Sequence, residues 1–173
     1  MRHQILITGI GGQGVLFLSK LLQTAALIKG VPIFAYEIHG MSQRGGSVYT
    51  SLKIGGFDSP QVFPGDVDTL LALDRGNIFP YLHFLRPSGT LAVNSAGLSP
   101  QEREWLEGRG YHCIFRDADS RALELRNPRA SNLVLLGSVF GAEGFPFAFP
   151  EVAEALRRTV RPNLLESNLQ ALQ

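Results

Sequence analysis

The sequence predicts a single α/β domain: a mostly parallel, Rossmann-like sheet with helices on both faces and a helical C-terminal third. Three observations predict it. Short apolar, β-branched runs alternate with helical periodicity up to Phe115. A G-x-G-x-x-G loop joins the first run to the first helix, and from Asp119 onward only helical segments follow. A length of 173 residues suits one domain spanning 1–173.

Gln4 to Thr8 is apolar, β-branched and stopped by glycine, as a buried parallel strand is. A helix is predicted from about Val15 to Lys29, with Val15, Leu18, Leu22 and Ala26 on one face and Gly30 as its C-cap. Pro32 to Tyr36 reads as a second strand, completing a βαβ unit. Ser47 to Ile54 alternates, with Ser47, Tyr49, Ser51 and Lys53 on the face expected to be less buried. Thr69 to Leu73 is another buried strand, followed by a helix to about Leu85 that Pro80 either interrupts or delays. Thr90 to Val93 and Tyr111 to Phe115 are further strands, separated by a helix over Gln101–Glu107 that Ser99 and Pro100 start. Helices are expected at Ser120–Leu125, Asn132–Phe140, Pro150–Thr159 and Pro162–Leu172.

Composition narrows the function. The chain is 45% hydrophobic but only 18% charged, which excludes disorder and leaves a surface for a partner subunit to cover. Self-association of the isolated chain is a second way to cover it. A net charge of +1 is too small for a nucleic-acid binder. The lone Cys113 permits no internal disulfide and no four-thiolate iron–sulfur cluster, and a reducing, cytoplasmic compartment is the expectation. The N-terminal apolar stretch breaks at Gly9, too early for a signal peptide or membrane anchor.

Gly9, Gly11 and Gly14, with Gly12 and Gln13 between them, stand where a dinucleotide fingerprint stands. Glu37, 23 residues beyond Gly14, occupies the place of a ribose-binding carboxylate. A tight turn with no ligand explains the same glycines. The run from Glu37 to Ser47 is more informative. Its Ser42, Gln43, Arg44, Gly45 and Gly46 free a guanidinium to reach a phosphate, a carboxylate or a neighbouring subunit, and thirteen of the sixteen cations are arginines.

These two segments, 9–15 and 37–48, together with Leu52 to Gly55, resemble the gamma-type subunit of 2-oxoacid:ferredoxin oxidoreductases, most of all the small (beta) subunit of the indolepyruvate enzymes. The resemblance continues through Gly65 to Asp68, Asn94, the stretch from Asn132 to Gly137, and Asn168, so it spans nearly the whole chain. It implies a pyruvate/ketoisovalerate ferredoxin oxidoreductase gamma-type domain over 1–173, a soluble subunit inactive by itself. The implied reaction is oxidative decarboxylation of an aryl or related 2-oxoacid to an acyl-coenzyme A. Thiamine diphosphate and iron–sulfur clusters belong to the large partner subunit, and ferredoxin is met through the holoenzyme. The implied contribution of this chain is to complete the active site and help place coenzyme A, through Gly9, Gly11, Gly12, Gln13, Gly14, Glu37, Ser42, Gln43, Arg44, Gly45 and Gly46, with no catalytic residue of its own. A stand-alone dinucleotide-binding oxidoreductase and a pure scaffold subunit are the alternatives. One departure is visible: Asp74-Arg75 replaces the Glu-Pro common in the family.

His3, His39, His83 and His112 share no metal-ligand spacing. Asp117 and Asp119 are expected to start a helix, Arg157 and Arg158 to form a solvated face, and Cys113 to be a buried, inert thiol. Phe140, Phe145, Phe147 and Phe149 fall in a glycine- and proline-broken segment. That spacing predicts a surface loop with at least one of Phe145, Phe147 and Phe149 exposed for association.

Overall fold

Alternating burial builds the sheet. In the computed structural model, which describes residues 1–38 and 46–173, β1 (His3–Ile10) sends Ile5 and Ile7 to one face and Leu6 to the other, all fully buried. Such two-sided burial needs a layer on each side. α1 (Val15–Lys29) starts at Gly14 and ends at Gly30, both left-handed, and buries the predicted Val15, Leu18, Leu22 and Ala26. β2 (Ile33–Ile38), β3 (Ser47–Ile54), β4 (Val67–Ala72), β5 (Leu85–Asn94) and β6 (His112–Arg116) complete a six-stranded sheet in the order β2-β3-β1-β4-β5-β6.

β1, β4, β5 and β6 are parallel neighbours, whereas β3 runs antiparallel to both β1 and β2. The expected βαβ unit therefore exists, but its two strands do not touch, because β3 lies between them. β2 is left at the sheet edge. α1 packs on one face with α4 (Ala118–Glu124), α5 (Ser131–Gly137), α6 (Phe149–Thr159) and α7 (Pro162–Leu172). The other face is covered by α2 (Ile78–Tyr81), α3 (Pro100–Glu107) and Val62 from the segment after β3.

Local signals explain most boundaries. Ser99 and Glu102 form a reciprocal capping box on α3, and Asp117 caps α4 through the Ser120 N–H. Pro80 starts its helix late: α2 is a single turn between two 3₁₀ turns, and Pro80 sits in it before any intrahelical N–H is required.

Three expectations are corrected. Ser51 and Lys53 are buried, because the segment after β3 folds back over their face. The Lys53 ammonium donates to the Gln61 carbonyl and lies 5.0 Å from the centre of the Phe57 ring. The phenylalanine segment is also not a free surface. Phe147 is 2% exposed, and Phe140, Phe145 and Phe149 all pack against the main core. Phe145 meets His3, Phe140 and Phe147 at ring separations of 6.0, 6.2 and 6.3 Å, so the breaks at Gly141, Gly144 and Pro146 fold the rings inward. Cys113 on β6 is half-buried rather than buried, and that burial pushes its thiol pKa up.

Candidate functional site

The C-terminal ends of β1 and β4 are adjacent, yet the chain leaves them toward opposite faces, α1 on one side and α2 on the other. That makes a crevice at the point where strand order reverses, the usual ligand position in open α/β sheets. The antiparallel β3 brings its first residues to the same edge.

One wall is the glycine loop. The Gln13 side-chain oxygen accepts from the Ile10 N–H at 2.8 Å while the Gln13 N–H returns to the Ile10 carbonyl at 3.1 Å, so Gln13 closes the turn upon itself. The Gly11 N–H donates to the Gly46 carbonyl at 3.1 Å, which joins the two glycine motifs directly. Gly9 and Gly14 are needed for packing. A Cβ on Gly9 would sit 3.1 Å from Leu73 Cβ, and one on Gly14, at φ +87°, would sit 2.1 Å from Asn132 Nδ2. Gly11 and Gly12 are exposed, and the space beside Gly12 is open. The N-cap of α1, Gly14, has no side chain to cap it, and no side-chain cap is formed among the described residues. Its first N–H groups have no partner in the helix and carry the positive end of its dipole, an arrangement that suits an anionic group.

The other wall lies beyond β4. Leu73 N–H donates to the Thr8 carbonyl at 2.8 Å, continuing the β1–β4 pairing, and Asp74 then caps a 3₁₀ turn through the Gly76 N–H. The turn delivers Asn77, whose Oδ1 accepts from the Ser47 hydroxyl at 3.1 Å; that hydroxyl also meets the Tyr81 hydroxyl at 2.8 Å. Asn77 Nδ2 is buried with no partner among the described residues. The Tyr49 ring lies 5.2 Å from Tyr81, and burial followed by the two neighbouring tyrosines pushes its phenol pKa up.

The structure thus brings Gly9, Gly11, Gly12, Gln13, Gly14 and Gly46 together. It does not bring Glu37 to them. Glu37 is level with Thr50 and Ile7, two strands and about 10 Å from β1. Among the described residues its carboxylate accepts from the Ser19 hydroxyl, at 3.5 Å. A ribose-binding carboxylate needs its strand beside the glycine-loop strand, and here β3 occupies that place. His39, Ser42, Gln43, Arg44 and Gly45 lie outside the described residues. Asn77 and Tyr81 were not legible as site residues; the only sequence signal was the turn-forming Asp74-Arg75-Gly76 ahead of Asn77.

Residues 4–173 match the family model described as pyruvate ferredoxin/flavodoxin oxidoreductase. The chain belongs to this family. It is 30% identical to indolepyruvate oxidoreductase subunit IorB of Archaeoglobus fulgidus, over 100% of this chain and 93% of that one. It is 28% identical to 2-oxoglutarate synthase subunit KorC of Methanothermobacter marburgensis, over 100% and 94%. Among solved structures, pyruvate oxidoreductase subunit PORC of Thermotoga maritima superposes with TM-score 0.78 at 21% identity, covering 99% of this chain and 93% of that one. A 2-oxoglutarate:ferredoxin oxidoreductase from Magnetococcus marinus, solved with 2-oxoglutarate, coenzyme A and succinyl-CoA bound, superposes with TM-score 0.80 at 18% identity. There the match covers 99% of this chain but 30% of the other, so the same fold is one part of a longer polypeptide. This chain is a gamma-type subunit of a 2-oxoacid:ferredoxin oxidoreductase.

The oxidoreductase motifs outside the glycine loops divide by role. Gly65 to Asp68 lies at the opposite end of the sheet, where Asp68 accepts from the Gln4 N–H at 2.7 Å and from Arg86 at 2.7 Å. Asn94 ties the end of β4 to α4, donating to the Leu73 carbonyl and accepting from the Ala118 N–H. Asn168 accepts from Asn127 at 3.0 Å. These are framework residues; Asn132, behind Gly14, touches the site. The Asp74-Arg75 departure is also structural. Arg75 reaches Glu102 at 2.6 Å, and this contact, with the Ser99 bonds, holds the Glu102 carboxyl down to about 2.

The family implies thiamine diphosphate and iron–sulfur clusters in its complexes. This chain's donors do not fit a cluster: its one cysteine is half-buried on β6, and no group of three metal-binding side chains gathers among the described residues.

Proposed function

We propose that this chain is the small subunit of an oxidoreductase acting on indolepyruvate or a related aryl pyruvate. In this reading its glycine loop and the start of α1 form one wall of a coenzyme A site that the large subunit completes. The carrying observation is the uncapped N-terminus of α1, held open at the crevice by the Gly11–Gly46 and Ile10–Gln13 hydrogen bonds. Helix N–H groups and exposed glycines suit the diphosphate of coenzyme A, and the sequence between β2 and β3 carries one cation, Arg44, of the type that binds phosphate. Four IorB relatives at 27–31% identity support the aryl substrate, set against two 2-oxoglutarate synthase KorC relatives at 28%.

The partners in this reading are a large subunit carrying thiamine diphosphate and iron–sulfur clusters, and ferredoxin as electron acceptor. The compartment is the cytoplasm, consistent with the lone free cysteine. No helix among the described residues is long and apolar enough to cross a membrane.

Co-purification with the large subunit, followed by ferredoxin reduction with indolepyruvate, phenylpyruvate, pyruvate and 2-oxoglutarate, tests the substrate. The aryl pyruvates should give the highest kcat/KM. Preference for pyruvate or 2-oxoglutarate would overturn the aryl assignment.

A further inference from the structure

β2 is an edge strand with unusual exposure. Its sequence, Ile33 to Ile38, carries no lysine and no internal proline, the residues that usually blunt an edge, and its only charge is Glu37. Phe34 and Tyr36, on the face away from α1, are 39% and 47% exposed.

The backbone parity of β2 is fixed. The Pro32 carbonyl accepts from the Gly55 N–H at 2.8 Å, so the even-numbered residues direct their peptide groups toward β3. Ile33, Ala35 and Glu37 accordingly direct their N–H and C=O groups outward, where no strand pairs with them among the described residues.

We propose that two copies of this chain join through their β2 edges about a two-fold axis at Ala35, making one continuous sheet. In that antiparallel register Ala35 faces the partner's Ala35, and Ile33 faces the partner's Glu37, each pair exchanging two hydrogen bonds. Phe34 stands opposite the partner's Tyr36, and Tyr36 opposite the partner's Phe34, at the closer spacing of the unbonded pairs. The strand is self-complementary. The two Glu37 carboxylates stay apart, the central pair is small, and both exposed rings of each copy gain an aromatic neighbour. A cleft of about 550 Å³ lined by Tyr36, Tyr49, Phe63, Pro64 and Phe84 lies beside the same strand, and Phe63 at its rim is 54% exposed. Such an edge-to-edge two-fold contact is isologous and closes upon itself, giving a dimer rather than a filament. The assignment does not depend on which oxoacid the enzyme uses.

The test is the oligomeric state and register of the full chain. Sedimentation should give twice the chain mass. Ala35→Pro removes only an outward N–H, which an edge strand tolerates, and should give a monomer with an unchanged circular dichroism spectrum. In a Cys113→Ser background, mixed Phe34→Cys and Tyr36→Cys chains should form a disulfide between unlike chains, and neither variant alone should link with itself efficiently. A parent chain that stays monomeric at high concentration overturns the proposal, as does a dimer that survives Ala35→Pro and fails to cross-link. Hydrogen-exchange protection of the Ala35 amide that appears only on adding the large subunit would assign the edge to that subunit and overturn it too.

Discussion

The Gly11 N–H donates to the Gly46 carbonyl at 3.1 Å, so the turn after β1 and the residue preceding β3 form one continuous rim. Two glycine motifs more than thirty residues apart thus become one structural unit. Without the antiparallel β3 beside β1, the second motif would have no route to the first. The same insertion separates Glu37 from the loop, so one topological choice favours the oxidoreductase-subunit reading and removes the geometry of a dinucleotide site.

Gly14 carries two constraints, a left-handed backbone and the Asn132 amide behind it. Gly14→Ala should lower unfolding free energy by about 1–3 kcal/mol, read from urea midpoints. Adding Asn132→Ala should recover the steric part and leave the backbone cost. A double variant no more stable than Gly14→Ala alone would show that the clash relaxes without cost.

His3 is buried at the far end of the sheet, hydrogen-bonded to the Thr69 hydroxyl at 3.0 Å and 4.0 Å from Asp68. Burial lowers its pKa below 6.5, opposed by Asp68 and assisted by Arg86. The unfolded chain therefore takes up a proton at a higher pH than the folded chain does. His3 thus favours folding fully above pH 6.5, and that contribution falls as pH drops toward the folded pKa. The melting temperature should fall between about pH 7 and pH 5, and His3→Gln should flatten that slope. An unchanged slope in the variant would assign the effect to other groups.

Arg44 lies in the motif that bears the family resemblance, between Gln43 and Gly45. Arg44→Lys keeps the charge and loses the planar fork. Either the apparent affinity of the holoenzyme for coenzyme A or its resistance to subunit dissociation should fall. A lysine variant equal to the parent in both would make Arg44 an ordinary surface residue.

Much of this fold was legible because its signals are local. Glycine at 14 and 30 bounded α1, Ser99-Pro100 started α3, and apolar periodicity placed the C-terminal helices. Long-range features were not legible. Alternation in 47–54 identified a strand without naming its neighbours, so the separation of β1 from β2 could not be read. The burial of Lys53 depends on Gln61 and Phe57 folding over it, and that of Phe147 on a core completed from both ends of the chain. The glycine loop of the site was visible as a motif. Asn77 and Tyr81 were not, because only the β1–β4 pairing and the Ser47 hydroxyl bring them beside it.

The central claim is that the glycine loop and the start of α1 face an anionic group of coenzyme A. Gly11 is exposed, does not require a positive φ, and contributes its N–H rather than a side chain to the rim. Gly11→Asp adds a negative charge at the positive end of the helix, and Gly11→Asn adds nearly the same volume without charge. The deciding measurement is the KM for coenzyme A of the holoenzyme carrying each variant. Electrostatics of about 0.3–1 kcal/mol, rising to about 2 where partly buried, predict an Asp-to-Asn ratio of roughly two- to thirtyfold with the oxoacid KM unchanged. Equal coenzyme A KM values for Gly11→Asp, Gly11→Asn and the parent would contradict the account.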